Sequence, residues 1–148
     1  MSQVVEVPRA VADEMIAHAR AGKPEEVCGL VAADGAGRIV KVIRVPNAAE
    51  DKIVTYYMDP AEQYRAFKAM EEEGLELFGI YHSHPATEAY PSATDRRLAF
   101  DSASGMPLYP DAVYFIISLA DEHRPVIRAF RLPDPETVEE LTVRLVEP

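Results

Sequence analysis

Cysteine occurs once in the 148-residue chain, as Cys28. An internal disulfide is therefore excluded, and so is a zinc site built on cysteine thiolates. That usage fits a reducing compartment. Long hydrophobic runs are missing too: the longest, "AVYFIISLA" (112–120), falls well short of the ~20 residues that a membrane helix needs. The N-terminus shows no basic segment followed by an apolar core, so the expectation is a cytoplasmic protein with no membrane attachment. Positive charge is scarce, with 15 Lys and Arg against 25 Asp and Glu and a net charge of −10. No basic run interleaved with aromatics offsets that balance locally, which argues against nucleic acid as a partner. The acidic surface is first of all a solubility device. Repeats, low-complexity tracts and Gly/Ser linkers are also absent, so residues 1–148 are expected to form one domain. A chain of this length buries roughly two thirds of its unfolded surface and needs no metal merely to fold.

What is present reads as alternating extended and helical pieces. "QVVEV" is an extended start, and Pro8 opens a helix to about Arg20, with Val11, Met15 and Ile16 at helical spacing and Gly22 as a stop. His18, alone in that helix, reads as a surface or boundary residue. "VCGLVAA" and "RIVKVIRV" flank "DGAG" as a hairpin, "PNAAED" is a loop, and "KIVTYYM" reads as a third extended piece. Asp59 caps a helix that begins at Pro60, carries Glu62 in its first turn and runs to about Glu73. Tyr64, Phe67 and Met70 are its expected inward stripe, and Glu71 to Glu73 a solvated face. "LFGIYH" is apolar throughout, as a strand covered on both faces should be. A Pro-punctuated loop, a helix over "SATDRRLAFDSA", and strands "AVYFIISLA", "VIRAFRL" and "EELTVRLV" follow, with His123 in a solvated turn. This order predicts an α/β domain in which helices pack on a sheet.

Within "FGIYHSHPATEAYPSATD" (78–95), side chains alternate across the strand, so His82 and His84 emerge on one face and Ser83 on the other. A catalytic zinc takes three protein ligands and keeps one open position. Asp95 is the candidate third ligand, because "PATEAYP" has the length and prolines to fold the chain back over the strand end. Ser92 and Asp95 equally match the S-x-x-D helix cap. A metallohydrolase also needs a base to take a proton from water. Glu26 is a candidate, since it precedes "VCGLV", where Val27 and Leu30 suit a buried strand and Gly29 permits close backbone approach. Composition does not choose between Glu26 and Glu25. Ser83 reads as a hydrogen-bonding buttress beneath the site, and Cys28 as a small buried hydrophobe.

Glu26 with "VCGL", then "HSHP", the seven residues Pro85 to Pro91, and Ser92 with Asp95 resemble the JAMM (MPN+) signature E…H-[ST]-H-x7-S-x2-D at every position. The likeness spans most of the chain, and "MDPAEQ" with "YHSHPATEAYPSATD" is most similar to the bacterial Mec-type peptidases. The resemblance implies a single-domain three-layer α-β-α fold of the cytidine-deaminase-like kind, with a curved mixed sheet flanked by helices. It implies Zn2+ held by His82, His84 and Asp95, Glu26 as general base and later acid, and Ser92 as donor to the oxyanion. It also implies an enzyme: a zinc metallopeptidase or isopeptidase acting at the C-terminal tail of a ubiquitin-like or sulfur-carrier protein, releasing cysteine or another amine as a step of cysteine biosynthesis. The segment Asp51 to Met58 is a candidate edge for pairing with that tail. A homodimer is compatible with the sequence. Two alternatives stand beside this reading: a catalytically silent MPN scaffold, which typically lacks a ligand, and a RadC-like metalloprotein with a similar His-x-His…Ser-x-x-Asp set. A zinc nucleobase deaminase is ruled out by the single cysteine.

Overall fold

The computed structural model describes residues 3–148. Among them, seven strands and three helices follow in the order β1 (Val4–Pro8), α1 (Arg9–Gly22), β2 (Cys28–Ala33), β3 (Ile39–Val45), α2 (Pro60–Glu72), β4 (Glu76–His84), α3 (Ala93–Leu98), β5 (Val113–Ser118), β6 (Val126–Asp134) and β7 (Thr137–Val146). The strands join in one mixed sheet ordered β1-β7-β6-β5-β4-β2-β3. β1–β7 and β4–β5 are parallel pairs, and the others are antiparallel. The sheet curls until its edge strands β1 and β3 touch.

Strand parity sorts the core into two layers. Val31, Tyr81, Phe115 and Ile117 point to one face and pack with Val11, Met15 and Ala19 of α1. Leu30, Ala32, Ile80 and Tyr114 point to the other and meet Ala66 and Met70 of α2. Each large apolar side chain so buried contributes roughly 1.5–3 kcal/mol. β2 and β5 are buried along their whole length, which is why their sequences lack polar alternation. The result is the α-β-α layering expected. Gly29 is required in β2, because a Cβ there would sit 2.4 Å from the Tyr81 ring and 2.5 Å from the Ile43 carbonyl oxygen. α2 starts as anticipated, with the Asp59 carboxylate accepting from the Glu62 N–H at 3.0 Å and Pro60 in the first turn. No helix among the described residues is long and apolar enough to cross a membrane.

Three local expectations are corrected. "KIVTYYM" is not a strand: residues 52–58 form a turn and an irregular stretch with one isolated bridge, Asn47 to Met58. Its backbone groups are taken by Asp51, Glu26 and Asn47 rather than by a neighbouring strand, so β-branched propensity is overridden. The proposed tail-pairing edge at Asp51 to Met58 therefore does not exist as a strand, and β3 is the edge on this side. Tyr64 is exposed, because Gln63, nearly two full turns before Met70, occupies the inward line instead. The helix after the histidines is only α3, six residues long. It stops where Phe100 pairs with Pro107. His18 lies at the boundary, half-buried, and its Nδ1 is 2.7 Å from the Tyr81 hydroxyl. That hydroxyl sits on a fully buried ring and must find a partner.

Candidate metal centre

Three elements deliver four side chains to one point. The register Cys28 to His82 places Glu26, two residues before Cys28 and on the same face, over the end of β4. His82 and His84 leave β4 on that face, while Ser83 turns beneath it and accepts from the Val27 N–H at 2.9 Å. Asp95 enters from the first turn of α3, whose start is a reciprocal cap. Ser92 Oγ accepts from the Asp95 N–H at 3.0 Å, and Asp95 Oδ2 accepts from the Ser92 N–H at 2.9 Å.

His82 Nε2 and His84 Nε2 stand 3.2 Å apart, and Asp95 Oδ2 lies 3.1 Å from the first and 3.0 Å from the second. Together with a Glu26 carboxylate oxygen, these ligand atoms all fall within 4.8 Å of one another. Donors bound at ~2.0–2.1 Å to one tetrahedral zinc stand roughly 3.3 Å apart, so the His-His-Asp triangle has the dimensions of such a site. The tautomer of His84 agrees, while His82 Nδ1 is buried without a partner. His84 Nδ1–H donates to the Glu88 carbonyl at 2.8 Å, which leaves the Nε2 lone pair facing inward. The electrostatics agree as well. Burial alone would raise the Asp95 carboxyl, yet His82, His84 and the Ser92 N–H outweigh it and hold the group well below the usual carboxylate range. Burial would lower His84, but Asp95, the Glu88 carbonyl and Glu26 raise it on balance. A pocket that favours positive charge on its own imidazole favours a cation. His-His-Asp donors with nearby carboxylate oxygen match a borderline divalent metal such as zinc.

Glu26 is 7% exposed, whereas Glu25 is on the surface, so the structure separates two carboxylates that composition left equivalent. Glu26 Oε1 is buried without a hydrogen-bond partner. Burial pushes its pKa up to about 7, with His84 opposing and Asp95 adding to the rise. Ser92 is solvent-exposed. Its oxygen serves the helix cap while its hydroxyl proton remains available to donate. Cys28 is fully buried, its Sγ is 3.4 Å from the Val45 carbonyl, and burial raises its thiol to about 12, as expected of an inert structural cysteine.

Two neighbours were not singled out from sequence. The Tyr56 ring stacks on His82 at 4.4 Å with an interplanar angle of 24°. It also lines a cavity of about 710 Å³ with Tyr57, Met58, Leu98 and Leu108. Asn47 donates to the Glu26 carbonyl at 2.9 Å. Only its Asx-turn bond to the Ala49 N–H, two residues on, carries a local signal.

Comparison with known proteins gives this geometry its context. Residues 8–133 match the family model described as prokaryotic homologs of the JAB domain. The CysO-cysteine peptidase of Mycobacterium tuberculosis is 41% identical over 134 residues, covering 90% of this chain and 85% of that protein. A desampylase of Haloferax volcanii is 39% identical over 111 residues, covering 72% and 74%. The solution structure of a protein from Desulfitobacterium hafniense superposes with a TM-score of 0.82 at 37% identity, covering 99% of this chain and 94% of that one. A family match that runs from α1 into β6, on a chain that gathers Glu26, His82, His84 and Asp95 at one point, means that this protein belongs to the prokaryotic JAB-domain family, the JAMM metallopeptidases.

Proposed function

We propose that this chain is a zinc-dependent peptidase that cleaves after the C-terminal tail of a ubiquitin-like or sulfur-carrier protein, freeing cysteine or another amine. The observation that carries the reading is the position of Glu26: a buried carboxylate with a free oxygen, beside a triangle of metal-binding atoms. His82, His84 and Asp95 would hold the metal. When bound, zinc supplies Lewis acidity, polarising the scissile carbonyl and acidifying water.

The chain's own residues account for the rest. Glu26 takes the proton of the attacking water and returns it to the leaving amine. A carboxyl titrating near neutrality is suited to both directions of transfer. Ser92 directs its hydroxyl proton at the developing oxyanion. Because its oxygen is already held by the Asp95 N–H, the donor needs little reorganisation. The Glu88 carbonyl keeps His84 in the tautomer that presents Nε2. Ser83, tied to Val27, keeps the two strands together beneath the site.

The substrate assignment draws on the relatives, one named for a CysO–cysteine adduct and another for desampylation. A silent scaffold would leave a ligand missing, and none is missing here. The test is to incubate the purified, zinc-loaded protein with a carrier protein bearing a C-terminal cysteine adduct and to read the products by mass spectrometry. Release of cysteine is expected. No cleavage of cysteine or lysine-linked adducts by a protein carrying stoichiometric zinc would refute the proposal.

A further inference from the structure

Glu26 lies at the mouth of the β2–β4 ladder, yet its main chain is held from elsewhere. Its N–H donates to the Lys52 carbonyl at 2.7 Å, and its carbonyl accepts from Asn47 Nδ2 at 2.9 Å. Both partners belong to the loop that follows β3. One residue later the chain changes allegiance, with Val27 exchanging hydrogen bonds with Ser83 at 2.9 and 3.0 Å. At the other end of the side chain, Glu26 Oε1 has no partner. The aim of this carboxylate is therefore set from its backbone.

Asn47 uses its full hydrogen-bonding capacity. Nδ2 donates to the Glu26 carbonyl and to the Thr55 carbonyl at 3.1 Å, while Oδ1 accepts from the Ala49 N–H at 2.9 Å and the Tyr57 N–H at 3.0 Å. Thr55 and Tyr57 flank Tyr56, the residue stacked on His82. The main chain closes the same neck, through Ala48 N–H to the Tyr57 carbonyl at 2.7 Å and Asp59 N–H to the Pro46 carbonyl at 3.0 Å. An asparagine that only shaped its own turn would need the bond to Ala49 and nothing more. Here one amide grips Glu26 from one side and both neighbours of Tyr56 from the other.

We infer that Asn47 is a positioning residue for the reaction, fixing Glu26 and Tyr56 at a set spacing around His82. The inference rests on Glu26 being the proton carrier of the proposed function. Its physical basis is the steep dependence of such transfers on geometry, where a shift of ~1 Å can lower the rate by on the order of 10²-fold.

Two substitutions separate positioning from simple support. Asn47→Asp keeps an acceptor for the Ala49 and Tyr57 amides but loses both donors, whereas Asn47→Ala loses everything. With the cysteine-adduct carrier protein as substrate, Asn47→Asp should keep about one zinc per chain and native amide exchange at Tyr57. Its kcat should fall on the order of 10²-fold, with KM changed by less than about threefold. In a Glu26→Gln background the same change should lower the residual rate by less than about threefold, because the group it acts through is already gone. Asn47→Ala should in addition expose the Tyr57 amide to exchange. Wild-type kcat in Asn47→Asp, an equal loss in both backgrounds, or a loss of zinc or of Tyr57 protection in Asn47→Asp would each overturn the inference. Failure of the underlying reading looks different: Glu26→Gln alone would then turn over at the wild-type rate, and the inference would fall with it.

Discussion

Glu26→Gln should do two opposite things, and the structure sets the size of both. As proton carrier the carboxylate is worth on the order of 10²–10⁴ in rate, so the variant should keep its metal and lose most turnover. As a buried acid without a partner it should also be a liability to the fold. Its pKa rises from an ordinary 4.5 to about 7, chiefly through burial. The unfolded chain releases this proton near pH 4.5, whereas the folded protein holds it until about pH 7. Stability therefore falls as pH rises through that window and stays lower above it. At ~1.4 kcal/mol per pH unit the window sets a ceiling of roughly 3 kcal/mol, and solvent screening near the cleft reduces this to about 1–2 kcal/mol. The neutral amide escapes this penalty. In chelated protein, where no bound cation favours the carboxylate, Glu26→Gln should melt about 3–6 °C above wild type at pH 8 and level with it near pH 4.5. Paired thermal melts at the two pH values, with a rate assay on the zinc-loaded proteins, test both halves. Equal melting at pH 8 would refute the buried-charge reasoning, and an undiminished rate would refute the role of Glu26 in catalysis.

The purified protein should carry close to one zinc per chain, and chelation should abolish cleavage; activity surviving with no measurable metal would contradict the mechanism. Asp95→Asn should lose zinc affinity, measured by competition with a chromogenic chelator, because it removes the only anionic corner of the triangle. Ser92→Ala should fold about 1 kcal/mol less stably through loss of the cap, retain zinc, and react on the order of 10²-fold more slowly; an unchanged rate would leave Ser92 with the cap alone. His18 is held down to about pKa 4 from 6.5, by burial first and then by Arg44. The fold thus refuses a proton that the unfolded chain accepts, and stability should drop as pH falls from about 6.5 towards 4, by about 1 kcal/mol for this half-exposed ring. His18→Gln should flatten that part of a denaturation-versus-pH curve.

The elements legible from sequence were those whose cause is local. β2 and β5 announce themselves by unbroken apolar runs, and α2 by Asp59, Pro60 and Gly74 at its ends. "KIVTYYM" misled because its side chains suit a strand while its backbone is claimed by Glu26 and Asn47 from outside the segment. The partner of His18 left no local signal, since Tyr81 lies 63 positions away. Tyr56 and Asn47 left almost no trace, since stacking on a ring and bonding to a distant carbonyl have no period in a sequence.

By itself, then, the amino-acid order determined which donor types are available and that His82 and His84 share a face, because strand alternation is a property of the backbone alone. It likewise supplied the cap that ties Asp95 to Ser92, a bond spanning three residues. Only the tertiary structure decided that Glu26 rather than Glu25 faces the imidazoles, that Asp95 Oδ2 closes the triangle, and that a loop after β3 hydrogen-bonds the main chain of Glu26. Those outcomes depend on the β2–β4 register and on hydrogen bonds between residues far apart in the chain. Such contacts exist only once the sheet has assembled.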